Sequence, residues 1–164
     1  MRLQPTRARF VGAALALAGI GALAMDSGDS AARCTVLSAP GGQAFVLRVA
    51  STAAERSVGL SDMERIPHDG LLLEWSQAGR HPIWMADMRF ALDLVWLDTR
   101  GTVVAVLTDV PVCAAAPCEV YEPAGAASSR AVLELPAGAA KAMHLVVGER
   151  ISYAQATTEA CAAE

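Results

Sequence analysis

Leu92-Asp93-Leu94-Val95-Trp96-Leu97, Asp98-Thr99-Arg100-Gly101, Thr102-Val103-Val104-Ala105-Val106-Leu107: two apolar runs flanking a polar, glycine-terminated tetrapeptide decide the fold of this 164-residue chain. The second run is rich in β-branched side chains, which pack well on a pleated surface and poorly on a helix. The Asp-Thr-Arg-Gly between them is turn chemistry. The pair is therefore expected to form a hairpin, and its continuous apolar character places it at the centre of a sheet.

Toward the N-terminus, Phe45, Leu47 and Val49 alternate with Val46, Arg48 and Ala50, the period of a strand with one well-buried face. Thr52-Ala53-Ala54-Glu55 fits a capping box, so a short helix should run to Val58 and stop at Gly59. Ser61-Asp62-Met63-Glu64 repeats the pattern, but Pro67 and Asp69-Gly70 leave room for one helical turn only. Residues 71–75 and 80–85 are candidate strands around a turn at 76–79, and Pro82 confines the second to an edge or to its own start. Toward the C-terminus, residues 108–129 are rich in Pro, Gly, Ala and Ser, lack periodicity and read as a long ordered loop. Residues 130–135 alternate again and end at Pro136. A short helix over 137–143, a turn at Gly148 and a last strand over 151–153 complete the pattern.

The sum is a mainly β fold: a single β-sandwich or partly closed barrel with two short helices. A doubly wound parallel sheet is disfavoured, because no helix of the necessary length follows each strand. The organisation expected is a signal peptide over 1–25, a polar leader over 26–43, a β-rich domain over 44–154 and a C-terminal tail over 155–164.

Arg2, Arg7 and Arg9 precede an apolar stretch from Phe10 to Met25 that holds no acidic residue. This is the pattern of an export signal, and the stretch falls short of the roughly 20 residues that a spanning helix needs. Ala22-Leu23-Ala24 supplies the small residues that signal peptidase prefers. A lipid-attachment role for Cys34 is disfavoured by Arg33 just before it. The expected location is periplasmic or secreted, with no membrane association after the signal is removed. Without those three arginines, ten of the 13 basic residues remain against 17 acidic ones, a formal charge of −7. Such a chain repels nucleic acid.

Four cysteines, Cys34, Cys113, Cys118 and Cys161, lie beyond the signal, an even count that in an oxidising compartment favours disulfides. Cys113 and Cys118 are expected to staple a tight local loop, worth roughly 2 kcal/mol in the chain-entropy account. A bond between Cys34 and Cys161 would close nearly the whole mature chain and contribute about 4 to 5 kcal/mol by the same account. Four residues rather than two separate the local pair, which disfavours a redox motif. His68, His81 and His144 are scattered, none at ligand spacing from another His or a Cys, so no metal is expected and no cofactor motif is present.

Six short motifs occur in order: Arg-x-x-Gly-Leu at Arg56 to Leu60, Pro-x-x-Gly-Leu-Leu at Pro67 to Leu72, Trp84-Met85, Leu92-Asp93-Leu94, Pro-x-Cys-x4-Cys from Pro111 to Cys118, and Val132-Leu133-Glu134-Leu135-Pro136-Ala137-Gly138. In this order they resemble an exported bacterial and archaeal family known as domain of unknown function 192. The resemblance implies a compact β-rich fold with a short helix after the first strand, and it supplies no established reaction. The family's usual Trp-Met-Lys-Asn-Thr block reads Trp84-Met85-Ala86-Asp87-Met88 here, so a cation and an amide are replaced.

Candidate ligand-binding residues are polar or aromatic groups in apolar surroundings: Arg56, Trp84, Asp87, Asp93 and Glu134. Asp93 is the most informative, since a carboxylate within an apolar strand must find a donor or face a cleft. Arg56 is expected to pair with Asp93 or Glu134, or to meet a ligand. The leading expectation is a cell-envelope binding or accessory module, holding a small polar ligand or a partner protein in a cleft between Trp84, Asp93 and the stapled loop, with no catalytic residue assigned. The alternatives are a hydrolase using Asp87 and Asp93 as an acid and base pair, and a purely structural or interaction domain.

Overall fold

A computed structural model describes residues 33–125, 127–157 and 161–162. The expected signal segment lies outside them. The fold is mainly β: a curled half-barrel sheet with two short helices, as the sequence pattern implied. Seven strands form the large sheet. In chain order they are β1 (Cys34–Ser38), β2 (Ala44–Ala50), β3 (Leu71–Gly79), β5 (Leu92–Leu97), β6 (Val103–Val110), β8 (Ser129–Pro136) and β9 (Ser152–Gln155). Their spatial order is β6-β5-β8-β3-β2-β1-β9. Strands β4 (Ile83–Trp84) and β7 (Val120–Tyr121) make a separate two-stranded ribbon. Helix α1 (Ala53–Val58) follows β2, and α2 (Ala139–Ala142) follows β8.

The hairpin expected from the opening stretch forms. β5 and β6 pair antiparallel with Val95 opposite Val106, and β5 also pairs β8, so it lies inside the sheet. Asp98 Oδ1 accepts from the backbone N–H groups of Arg100 and Thr102, both at 2.8 Å, which holds the turn. The apolar run has a simple cause: all six residues of β5 are buried, because both faces of the sheet are covered. Leu37, Leu47, Leu72, Val95, Val103 and Leu133 belong to one core, together with Ala140 and Met143 of the α2 region. This core draws on every strand of the large sheet, counting the half-buried Tyr153 of β9, and is the one the curl encloses. Leu71, Leu73, Leu94, Trp96 and Val132 face the other way, into a second core closed by Leu60, Ile83 and Met85.

Three local expectations are revised, and one pairing is added that the sequence did not address. Residues 26–43 do not form a leader throughout, since Cys34–Ser38 is a strand paired to β2 from Cys34↔Arg48 to Ser38↔Ala44. Its five residues are too few to stand out in a polar stretch, and its pairing partners are distant or follow a turn. β3 continues to Gly79 through the expected turn at 76–79, with an irregularity between Glu74 and Gly79. The strand expected over 80–85 shrinks to Ile83–Trp84 and finds its partner, β7, inside the expected loop. Finally, β2 and β3 are parallel, with Arg48, Val49 and Ala50 opposite Leu71, Leu72 and Leu73. The chain between them crosses over the second core, and so α1 sits on that face.

The two edges of the curl meet over a short span. Ile151 N–H donates to Gly101 O at 2.9 Å and Val103 N–H to Glu149 O at 2.8 Å, with Thr102 and Arg150 bridged between them. Gly101 has φ +77°, and a Cβ there would lie 2.4 Å from Ile151 O. Gly101→Ala should therefore lower stability by about 2 kcal/mol or more, through left-handed strain and the lost closure, and chemical denaturation against the parent chain reads this directly.

Candidate functional site

The crossover and the ribbon enclose a cleft of about 290 Å³ on the second-core face. The capping box builds its first wall. Thr52 Oγ1 accepts from Glu55 N–H at 3.2 Å, the Glu55 carboxylate accepts from Thr52 N–H at 2.8 Å, and the helix ends at Gly59 with φ +51°. This one-and-a-half-turn helix fixes Arg56 and presents Val58 and Gly59 to the opening. The second wall is the β4–β7 ribbon, in which Trp84 stands opposite Val120. Leu73, Ile83 and Glu134, all buried, form the floor. Val58, Trp84 and Val120 form a rim, and they are 59%, 61% and 54% exposed, an unusual concentration of solvent-facing apolar surface around one opening.

Glu134 is the singular group of this floor. It lies on β8 opposite Leu71 of β3 and Leu94 of β5, so the pleat turns it into an apolar layer. Its Oε2 is buried and has no hydrogen-bond partner. Gly59, which has no side chain, lies above it, and a Cβ at that glycine would stand 3.7 Å from Oε2. Burial pushes the carboxyl up from 4.5 to about 7, because nothing nearby compensates the charged form.

Arg56 does not make the expected ion pair with Asp93 or Glu134. Its guanidinium donates to Glu74 O at 2.9 Å and to Ser51 O, and lies 5.0 Å from the Trp75 ring centroid. His81 also stacks on Trp75, with centroids 4.0 Å apart and planes at 11°. Burial, followed by the nearby Arg56 charge, lowers the His81 pKa below its usual value. Trp96, fully buried below, donates Nε1–H to His81 O at 3.1 Å. Trp75 is thus the aromatic centre of the cleft wall, a role missed in the sequence. Period two from Leu71 and Leu73 puts it on the same face, which is the signal that could have found it.

Asp93 belongs elsewhere. It is fully buried on the first-core side and accepts from Asp109 N–H and Ala140 N–H, each at 2.9 Å. Asp109, at φ +54°, lies in the bulge that shifts the β5–β6 register between Leu92 and Leu94. Ala140 is in the first turn of α2, whose N-cap Gly138 offers no side-chain cap. One carboxylate thereby satisfies the N–H groups that a bulge and a helix start leave unpaired. The expected cleft between Trp84 and Asp93 is corrected accordingly: Arg56, Trp84 and Glu134 share it and Asp93 does not. Asp87, exposed at φ +57°, is not among its lining residues. Both Asp93 oxygens are committed to backbone donors, which removes it as half of an acid and base pair with Asp87.

Both disulfides form: Cys113 with Cys118, beside the ribbon, and Cys34 with Cys161, the pairing that the sequence left open. The fold brings His68 within 3.6 Å of Cys34 Sγ, a proximity that chain spacing did not reveal. His68, Cys34 and Cys161 form a compact set, yet the two sulfurs are bonded to each other and are not thiolate ligands. Among the described residues no helix is long and apolar enough to cross a membrane.

The model of one family, DUF192, described as an uncharacterized ACR, matches residues 35–153. The chain belongs to the DUF192 family. Two crystal structures share the fold. One is of a Sinorhizobium meliloti 1021 protein provisionally named a transcription regulator, at a TM-score of 0.61 and 21% identity over 74% of this chain and 92% of that one. The other is of a Novosphingobium aromaticivorans DSM 12444 protein of unknown function, at a TM-score of 0.60 and 19% identity over 73% and 83%. No curated protein matches the chain. Three of the six short motifs read from the sequence line the cleft: Arg56 and Gly59 come from the first, Trp84 from the third and Glu134 from the last.

Two outcomes follow. Asp93→Ala leaves two buried N–H groups without an acceptor and should cost about 2 to 5 kcal/mol, measurable by urea denaturation, while leaving the cleft intact. For Glu134, the unfolded chain ionises near 4.5 and the folded chain near 7. Between these values the folded state keeps a proton that the unfolded state has released, so stability falls as pH rises, by up to about 3 kcal/mol. Glu134→Gln should abolish that slope, matching the parent near pH 4 and exceeding its Tm at pH 8. Equal Tm differences at both pH values would refute the assignment.

Proposed function

We propose that this DUF192 protein is an exported binding module of the cell envelope whose cleft at Arg56, Trp84 and Glu134 holds a small ligand. The observation that carries the reading is the unpartnered Glu134 Oε2 in the floor of an apolar, tryptophan-rimmed cleft. A buried polar atom without a partner costs about 1 to 3 kcal/mol, and a ligand donor would recover it. An apolar hollow with few convergent polar groups is the usual form of a small-molecule site. Export is supported by the arginine-led apolar N-terminal stretch and by the pairing of all four cysteines. Binding is favoured over hydrolysis by the polar groups available. Ser61 Oγ is spent on Ala86 O at 3.2 Å, the Arg56 guanidinium on two carbonyls, and no histidine lines the cleft.

Thermal-shift screening of the oxidised protein lacking residues 1–25 against sugars, peptides, amines and cell-wall fragments tests this. Supporting hits raise Tm in the parent and in the surface variant Arg89→Ala but not in Trp84→Ala or Glu134→Gln. A flat screen, or hits indifferent to both cleft variants, would count against it.

A further inference from the structure

Glu134 and Arg56 are the two charged groups lining the cleft, and their situations differ. The Arg56 guanidinium is engaged by the carbonyls of Ser51 and Glu74 and by the Trp75 ring, whereas Glu134 Oε2 has no partner. The unmet demand of the site is thus for a hydrogen-bond donor, and a cationic donor meets it most strongly. Around that carboxylate the surface is hydrocarbon and aromatic: Leu73 and Ile83 at the floor, Val58, Trp84 and Val120 at the rim. An indole face near a carboxylate is suited to an alkylammonium or arylalkylammonium, since the ring attracts the cation and its body receives the hydrocarbon. An anion would find no free cationic donor set, and a purely polar ligand would waste the rim.

We infer that the cleft takes a small organic ammonium, its N–H groups donating to the Glu134 carboxylate and its hydrocarbon part lying against Trp84, Val58 and Val120. This rests on the binding reading above and names the ligand class for the same site. Binding a cation holds Glu134 ionised, so affinity is linked to the proton that burial keeps on it near neutrality. From α1 Arg56 lines the cleft with Glu134, while Glu55, held below its usual value by the N–H groups of Thr52 and Ser51, and Arg48 of β2 line the neighbouring hollow beside Gly59 and Leu71. β3, β5, β4 and β7 turn Leu73, Leu94, Ile83 and Val120 to this side, and His81 stands behind Trp75. The proton taken up below neutrality is therefore assigned to Glu134.

Benzylammonium, benzyl alcohol and benzoate have similar size and differ in head-group charge, which makes them the probes. Titration of the oxidised protein, followed by calorimetry and by amide chemical shifts, should show benzylammonium bound at pH 8 and about tenfold more weakly at pH 6. Shifts should centre on Gly59, Trp84 and Val120. Glu134→Gln should weaken it at least about tenfold and remove the pH dependence, and Trp84→Leu should weaken it with the pH dependence retained. The amide spectra of both variants establish that they are folded. Benzyl alcohol or benzoate bound as tightly in the same cleft would overturn the ammonium class and leave the binding reading standing. No response to any probe would likewise overturn the ammonium class, and the wider ligand screen would then decide the binding reading on its own.

Discussion

Covering the central sheet on both faces is the constraint from which the rest of this structure follows. β5 is buried along its whole length and β8 nearly so, which removes water from Asp93 and Glu134 alike. Both carboxylates therefore had to be satisfied by protein, neutralised, or left for something else. Asp93 is satisfied, by backbone donors from a bulge and from a helix start. Glu134 is neither bonded at Oε2 nor neutralised by Arg56, and its raised pKa records the cost.

Two features of topology build a cleft around that carboxylate. The parallel crossover from β2 to β3 carries α1 over the second core, sets Gly59 above Glu134 and brings Arg56 to the same cleft. The β4–β7 ribbon, adjoining the Cys113–Cys118 staple, stands opposite and holds Trp84 half out of the protein. Between them Arg56 and Trp75 line one side, with His81 stacked on Trp75 outside the cleft and the cation tied to main-chain carbonyls rather than to an acid. Such a cation shapes the cleft without neutralising its floor. The residues that surround the hollow come from segments far apart in the chain, and the fold gathers them at one place.

Much of the fold was legible because local chemistry and global packing agreed. The Thr52-Glu55 capping box, the Asp98 turn, the Leu92 and Val103 hairpin and the alternation before Pro136 each depend on neighbours within a few residues, so their signal is intact in the chain. β1 and β7 were missed because each is short and owes its existence to a partner: Cys34–Ser38 to β2 and β9, Val120–Tyr121 to two residues beside Pro82. The site was partly legible. Arg56, Trp84 and Glu134 were singled out as polar or aromatic groups among apolar neighbours and do converge. Asp93 satisfied the same criterion and lies on the opposite face, since period two assigns alternate residues to opposite faces but does not say which face carries the cleft.

By itself, the sequence determined the class of fold, the helix with its cap, the central hairpin, the family, and the residues at which buried charge would create a problem. Those properties rest on side-chain period, turn chemistry and short-range hydrogen bonding, which are written in consecutive residues. The tertiary structure alone decided which carboxylate was satisfied and which was left open, that Arg56 would bind carbonyls, that Cys34 would reach Cys161, and that Trp75 would line the same cleft as Trp84. Each of those depends on strand order and on the parallel crossover, and the free energy that selects them comes from burying two cores at once rather than from any local segment.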